Sequence, residues 1–106
     1  MTSMPDQLTD AELLDLTVRV PEHVVHRAFV AETVVLNLQT GRYHGLNPSA
    51  GRMLAVLESE GRIRTAADTI AEEYEQPLEL IERDLAKLCR QLLERRLIEF
   101  TGGTPG

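Results

Sequence analysis

At 106 residues, 42% hydrophobic but only 4% aromatic and without Trp, the chain has the length of one domain built on a modest aliphatic core. A net charge of −6 argues against a general affinity for phosphate backbones, so no nucleic-acid partner is expected, although a local basic patch is still allowed. One Cys rules out an intramolecular disulfide, and with neither a secretory leader nor an apolar run of membrane-span length the expected location is cytoplasmic, with no membrane contact.

Residues 1–16 read as a flexible N-terminal extension. Within it, Ala11 to Leu16 suits one helical turn capped by Thr9 or Asp10, too short to stand alone. Val18-Arg19-Val20 is an extended lead-in that stops at Pro21. His23 to Val30 then reads as the first full strand, and Ala31-Glu32 as a tight connection. Thr33 to Leu38 follows, with Val34, Val35, Leu36 and Leu38 suited to a pleated, half-buried surface. Thr40-Gly41 supplies a turn, because Gly takes a positive φ without steric cost. Arg42 to Leu46 returns antiparallel as the third strand of a meander.

From Pro48 onward the apolar period changes from two to about 3.6 residues. Asn47 is a good N-cap and Pro48 occupies the first helical position, where Pro is best tolerated. Ala50, Met53, Leu54 and Leu57 form the stripe of a first helix that Gly61 ends. A second helix is predicted to open at Thr65, with Thr65 as cap, Asp68 as a weaker capping-box acid, and Ala66, Ile70, Ala71 and Tyr74 buried. Gln76-Pro77 ends it, and Pro77 begins the third and longest helix. Its stripe is Leu78, Ile81, Leu85, Leu88 and Leu92, widened by Leu80, Cys89 and Leu93. Leu97, Ile98 and Phe100 close the domain, and residues 101–106 read as a disordered tail. The expected fold is α+β and winged-helix-like, a three-stranded antiparallel sheet followed by three helices over residues 17–100.

Chemistry-bearing residues are scattered. His23, His26 and His44 lie on strands, with nothing in the spacing to join them to a carboxylate or to Cys89 as a nucleophile set requires. Cys89 reads as a small buried hydrophobe. One Cys and three dispersed His give no metal pattern, and no glycine-rich phosphate loop is present. No catalysis, metal or cofactor is therefore expected. Arg83, Lys87, Arg90, Arg95 and Arg96 put positive charge on the last helix, which would suit a winged-helix DNA-binding regulator. Glu79, Glu82, Asp84 and Glu94 interrupt that face. A dimerisation module using the sheet edge is a third reading.

Several strings, in this order and spacing, resemble the PqqD family, the peptide-binding domains also called RiPP recognition elements. They are Leu36-Asn37, the run from Thr40 to Asn47, the helix from Ala50 to Leu57, the run from Thr65 to Ile70, Glu72-Glu73-Tyr74, and Leu92 to Ile98. The likeness covers roughly His23 to Phe100 and leaves Met1 to Leu16 outside. The resemblance implies a non-catalytic domain that binds the leader segment of a ribosomally made precursor peptide. It also implies delivery to a partner leader peptidase or modifying enzyme, in a lasso-peptide pathway or as a chaperone for a radical enzyme of quinone cofactor biosynthesis.

The residues suggest a physical route. If Arg42, Tyr43, His44, Gly45 and Leu46 form an edge strand, their outward backbone groups are free to pair with an extended peptide. The same edge would serve a weak dimer; otherwise the chain is monomeric. Selectivity would come from the third helix, where Ile81, Leu85, Leu88 and Leu92 recur at about one-turn spacing opposite Tyr43, with Asp84, Lys87 and Gln91 on one flank. The plain alternatives are a core stripe touching ligand only at its rim, a solvated polar flank, a Tyr43 that packs across strands, and a Gly45 that allows close packing on the first helix.

Overall fold

A computed structural model describes residues 7–101. Of the expected loose start and the expected disordered tail over 101–106, residues 1–6 and 102–106 fall outside the described part, while Thr101 is tied in, its N–H donating to the Thr17 carbonyl at 3.0 Å. In chain order the elements are α1 (Asp10–Leu14), β1 (Val18–Arg19), β2 (Val24–Ala28), β3 (Thr33–Asn37), β4 (Tyr43–Leu46), α2 (Pro48–Glu60), α3 (Ile63–Tyr74), α4 (Leu78–Glu94) and β5 (Glu99–Phe100).

The meander forms as expected: β2, β3 and β4 are antiparallel, in that spatial order. Thr33, Val35 and Asn37 of β3 are buried while Val34 and Leu36 are half-buried, so one face of the sheet meets the core. α2 packs against β3 and β4 on that face. Gly51 sets how closely it lies, because a Cβ there would collide with the side chain of Thr33. The strands are shorter than the sequence suggested. Phe29 and Val30 leave β2 exposed, and Arg42 precedes β4 although its carbonyl accepts from the Asn37 N–H at 2.9 Å.

α2 begins as read, with Asn47 Oδ1 accepting from the Ala50 N–H at 2.8 Å and Pro48 at the first position. α3 does not. It opens at Ile63 with Arg62 as N-cap and no side-chain cap, two residues before the expected Thr65. Tertiary pairing replaces the missing cap. Ile63 N–H donates to the Leu16 carbonyl at 3.0 Å, Val18 N–H donates to the Gly61 carbonyl at 2.9 Å, and Thr17 bridges Arg62. Tyr74 is exposed rather than buried, because the helix ends there and Glu75 takes a left-handed conformation (φ 52°). Leu78, in the first turn of α4, is likewise exposed.

Two features replace the simple order of three strands then three helices. The lead-in and the apolar close pair with each other as β1 and β5, joined also by Arg19 Nε to Glu99 Oε1 at 2.7 Å. The described part of the N-terminal segment is not a flexible extension. Thr9 and Glu12 form a capping box, and Leu13, Leu14 and Leu16 are buried as α1 covers α4 and α3. Arg64 Nε to Asp15 Oδ1 at 2.9 Å and Arg90 to Asp10 at 2.5 Å hold it down. A helical turn this short persists because its leucines complete a core that α3 and α4 leave open.

Candidate functional site

The hairpin between β3 and β4 is organised by Asn37. Its buried side chain accepts from the N–H of Gln39 at 2.9 Å and of Thr40 at 3.3 Å, and its carbonyl accepts from Gly41 at 2.8 Å. Gly41 supplies the positive φ (75°) that the turn requires.

This hairpin decides which backbone groups of β4 are free. Asn37 bonds to Arg42, and in an antiparallel ladder every second residue faces its partner. Arg42, His44 and Leu46 therefore direct N–H and C=O to β3, while those of Tyr43 and Gly45 point outward. β4 is the last strand of its sheet, so among the described residues no strand pairs with that side.

Side chains follow the same alternation. Leu46 points into the core, which puts Arg42 and His44 on the inner face and Tyr43 and Gly45 on the outer one. Arg42 and His44 open onto a groove of about 420 Å³, completed by Asn37 and Thr40 of the hairpin and by Gln91, Glu94, Arg95 and Arg96 at the end of α4. Tyr43 does not face α4; it sits across from Leu36 on the outer face, 74% exposed. Gly45 approaches the side chain of Glu32 rather than α2.

The helix side needs a larger correction. Ile81, Leu85 and Leu92 are 4%, 0% and 0% exposed, and Leu88 only 7%, so the stripe is domain core and not an apolar groove wall. It turns toward α1 and α3, the helices that α4 packs on. The polar flank points outward instead: Gln91 lines the groove, and Lys87 and Asp84 are exposed one and two turns back on the same helix face. Sequence reasoning missed Asn37, Thr40, Glu94, Arg95 and Arg96 as groove residues. Asn37 and Thr40 had a legible signal, an Asn ahead of a Thr-Gly turn; the other three depend on how the helix end lies against the hairpin.

The groove is cationic. Arg42, Arg95 and Arg96 line it with Glu94, and none of the three arginines has an ion-pair partner among the described residues. The basic residues of α4 do not make one continuous surface, since Arg90 is tied to Asp10.

Nucleophilic chemistry has little footing. Cys89 is fully buried, and burial pushes its thiol up to about 12, so a thiolate is not present near neutral pH. His26 Nε2 sits 3.1 Å from Glu58 Oε1, on the opposite strand from the groove. Among the described residues no cluster of His, Cys, Asp or Glu is placed to hold a metal, and no helix is long and apolar enough to cross a membrane.

Comparison with known proteins gives three findings. The family profile for coenzyme PQQ synthesis protein D (PqqD) matches residues 32–98. No curated protein matches the chain. Among solved structures, the chain is similar to TbiB1 in complex with the TbiA(beta) leader peptide, at 34% identity over 76% of this chain and 94% of that one, with a TM-score of 0.68. It shares its fold with lasso peptide synthetase B1 complexed with the leader peptide, at 24% identity over 78% of this chain and 98% of that one, again with a TM-score of 0.68.

Proposed function

Because the chain belongs to the PqqD family, we propose that it is a non-catalytic recognition protein for the leader segment of a ribosomally made precursor peptide. The leader adds as an extra strand on β4, pairing with the outward groups of Tyr43 and Gly45, and its side chains meet the groove between Arg42, His44 and the end of α4. Main-chain pairing supplies affinity that tolerates sequence, and the groove supplies choice. The observation that carries this reading is the open edge of β4 beside a concavity of about 420 Å³.

The pathway is that of a lasso peptide, because the similar solved structures are TbiB1 with a leader peptide and a lasso peptide synthetase B1 with its leader peptide. The protein then presents the bound leader to a partner leader peptidase or modifying enzyme. The buried, protonated Cys89 and a His26 engaged with Glu58 support a role without chemistry of its own. A DNA-binding role is disfavoured by the net charge and by acidic residues interleaved along α4.

The test is titration of a fluorescently labelled leader peptide encoded beside this protein. Saturable binding at or below roughly tens of micromolar is expected. No saturation in that range would remove the proposal.

A further inference from the structure

We propose that the groove selects a carboxylate: the peptide strand paired with β4 carries an Asp or Glu side chain at the end beside Arg42, held among Arg42, Arg95 and Arg96. This deepens the reading of β4 as a docking edge and rests on it.

Charge placement is the first observation. The chain carries a net −6, yet three guanidinium groups and a single carboxylate, Glu94, line one concavity. Elsewhere Arg19 pairs with Glu99, Arg52 with Glu73, and Arg62 and Arg64 with Asp15; Arg27 and Arg83 also lack an ion pair among the described residues, but neither shares a concavity with another unpaired arginine. Arg42, Arg95 and Arg96 have no such partner among the described residues, although they come from two separate elements. The partial negative charge at the end of α4 explains a cation at Arg95 or Arg96. It does not explain Arg42, which arrives from the sheet.

The backbone at Arg96 is the second observation. α4 ends in a Schellman motif, with Arg96 N–H donating to the Leu93 carbonyl at 3.1 Å and Leu97 N–H to the Leu92 carbonyl at 2.9 Å. That motif requires a left-handed residue, and Arg96 fills it at φ 60°. Glycine is the residue such a position favours, so Arg96 sits there at a local cost, as Glu75 does at the end of α3, and of the two only Arg96 places its side chain on the groove. A guanidinium offers paired donors to a carboxylate, and with three of them around the concavity one acid can be met by several. A peptide carboxylate comes from an acidic side chain or from a free C-terminus. A leader continues into the rest of its precursor, which favours the side chain. A nucleic acid is the poorer fit, because the overall charge repels a polyanion while a single carboxylate is tolerated.

The experiment is a set of titrations of labelled leader peptide against the full-length protein and its variants Arg42→Gln, Arg95→Gln and Arg96→Gly, each with its melting temperature. Wild-type binding is expected to weaken as added salt shortens the Debye length from about 10 Å to about 3 Å. Arg42→Gln and Arg96→Gly should each weaken it about tenfold. Arg96→Gly should do so with a melting temperature unchanged or raised, which separates lost recognition from lost folding. Glu75→Gly makes the same backbone change at the end of α3 and should leave binding unchanged. On the peptide side, changing one acidic residue to its amide should reproduce the loss and add little on top of Arg42→Gln. Leader binding that is indifferent to all three arginine changes would overturn the inference while leaving the docking edge standing. Loss on amidating the peptide C-terminus alone, or tighter binding of duplex DNA than of peptide, would overturn it too. A wild-type protein that binds no leader would instead fail the docking reading itself.

Discussion

The sheet has two edges, and they differ in what the fold has already done with them. β2 is one edge, and beside it lies a concavity of about 380 Å³ lined by residues that include His26, Pro48 and Arg52. Its polar groups have internal partners: His26 meets Glu58, and Arg52 grips Glu73 with two bonds, at 2.8 and 2.6 Å. Its start is also closed by Val24 N–H donating to the Pro21 carbonyl at 3.0 Å. β4 is the other edge, beside a groove of similar size whose arginines are unanswered among the described residues. Size alone would not choose between them. What differs is that the polar side chains beside β2 are paired within the chain, while the arginines beside β4 are left for something outside it.

This contrast assumes that the leucine stripe of α4 supports the whole fold and is not a wall of the β4 groove. Leu85→Ala should then lower the unfolding free energy by about 2–5 kcal/mol, read by urea denaturation, and affect binding only through folding. A Leu85→Ala protein of normal stability that no longer binds would return the stripe to the site.

Paired edge prolines sharpen the contrast more directly. The N–H of Gly45 faces away from β3, so Gly45→Pro removes an outward donor and keeps the ladder. By the same alternation Ala28 turns its N–H outward from β2, since Phe29 N–H bonds inward to Glu32. Leader affinity should fall at least about tenfold for Gly45→Pro, because a pairing bond is lost and the ring obstructs the edge, and stay unchanged for Ala28→Pro. Equal losses by titration calorimetry would erase the distinction between the edges.

The closed side makes a smaller prediction in pH. Arg52 holds the Glu73 carboxyl below its ordinary value of 4.5 by hydrogen bond and charge. A carboxyl lowered by folding stabilises the protein fully above its unfolded value, and the gain fades as pH falls through the folded one. Glu73→Gln should therefore flatten the acid limb of the stability curve slightly, with no change in leader affinity at neutral pH. A binding defect in Glu73→Gln would show that the β2 side participates.

The sequence made the meander, the three main helices and the open edge readable because each rests on local signals. β-branched runs, the Thr40-Gly41 turn and the Asn47-Pro48 start are decided within a few residues. Features decided across the chain were not readable. Two residues of β1 pair with two of β5 eighty positions away, and the start of α3 follows from a backbone bond to Leu16 rather than from the hydroxyl of Thr65. The site divides the same way. Arg42 to Leu46 could be named as an edge, since strand order follows from short connections. A one-dimensional reading put Tyr43 in the groove together with the leucines of α4. Side-chain alternation turns Tyr43 to the outer face, and the packing of α1 and α3 covers the leucines. The arginines that replace them come from a hairpin and a helix end about fifty residues apart, a proximity that no local pattern encodes.

The central claim is that an extended peptide pairs with β4 and not with β2. Amide hydrogen exchange followed by NMR, with and without saturating leader peptide, reads both edges in one experiment. The expected result is new protection at the Tyr43 and Gly45 amides with His26 and Ala28 unchanged. Protection at His26 and Ala28 with Tyr43 and Gly45 still exchanging freely would contradict it.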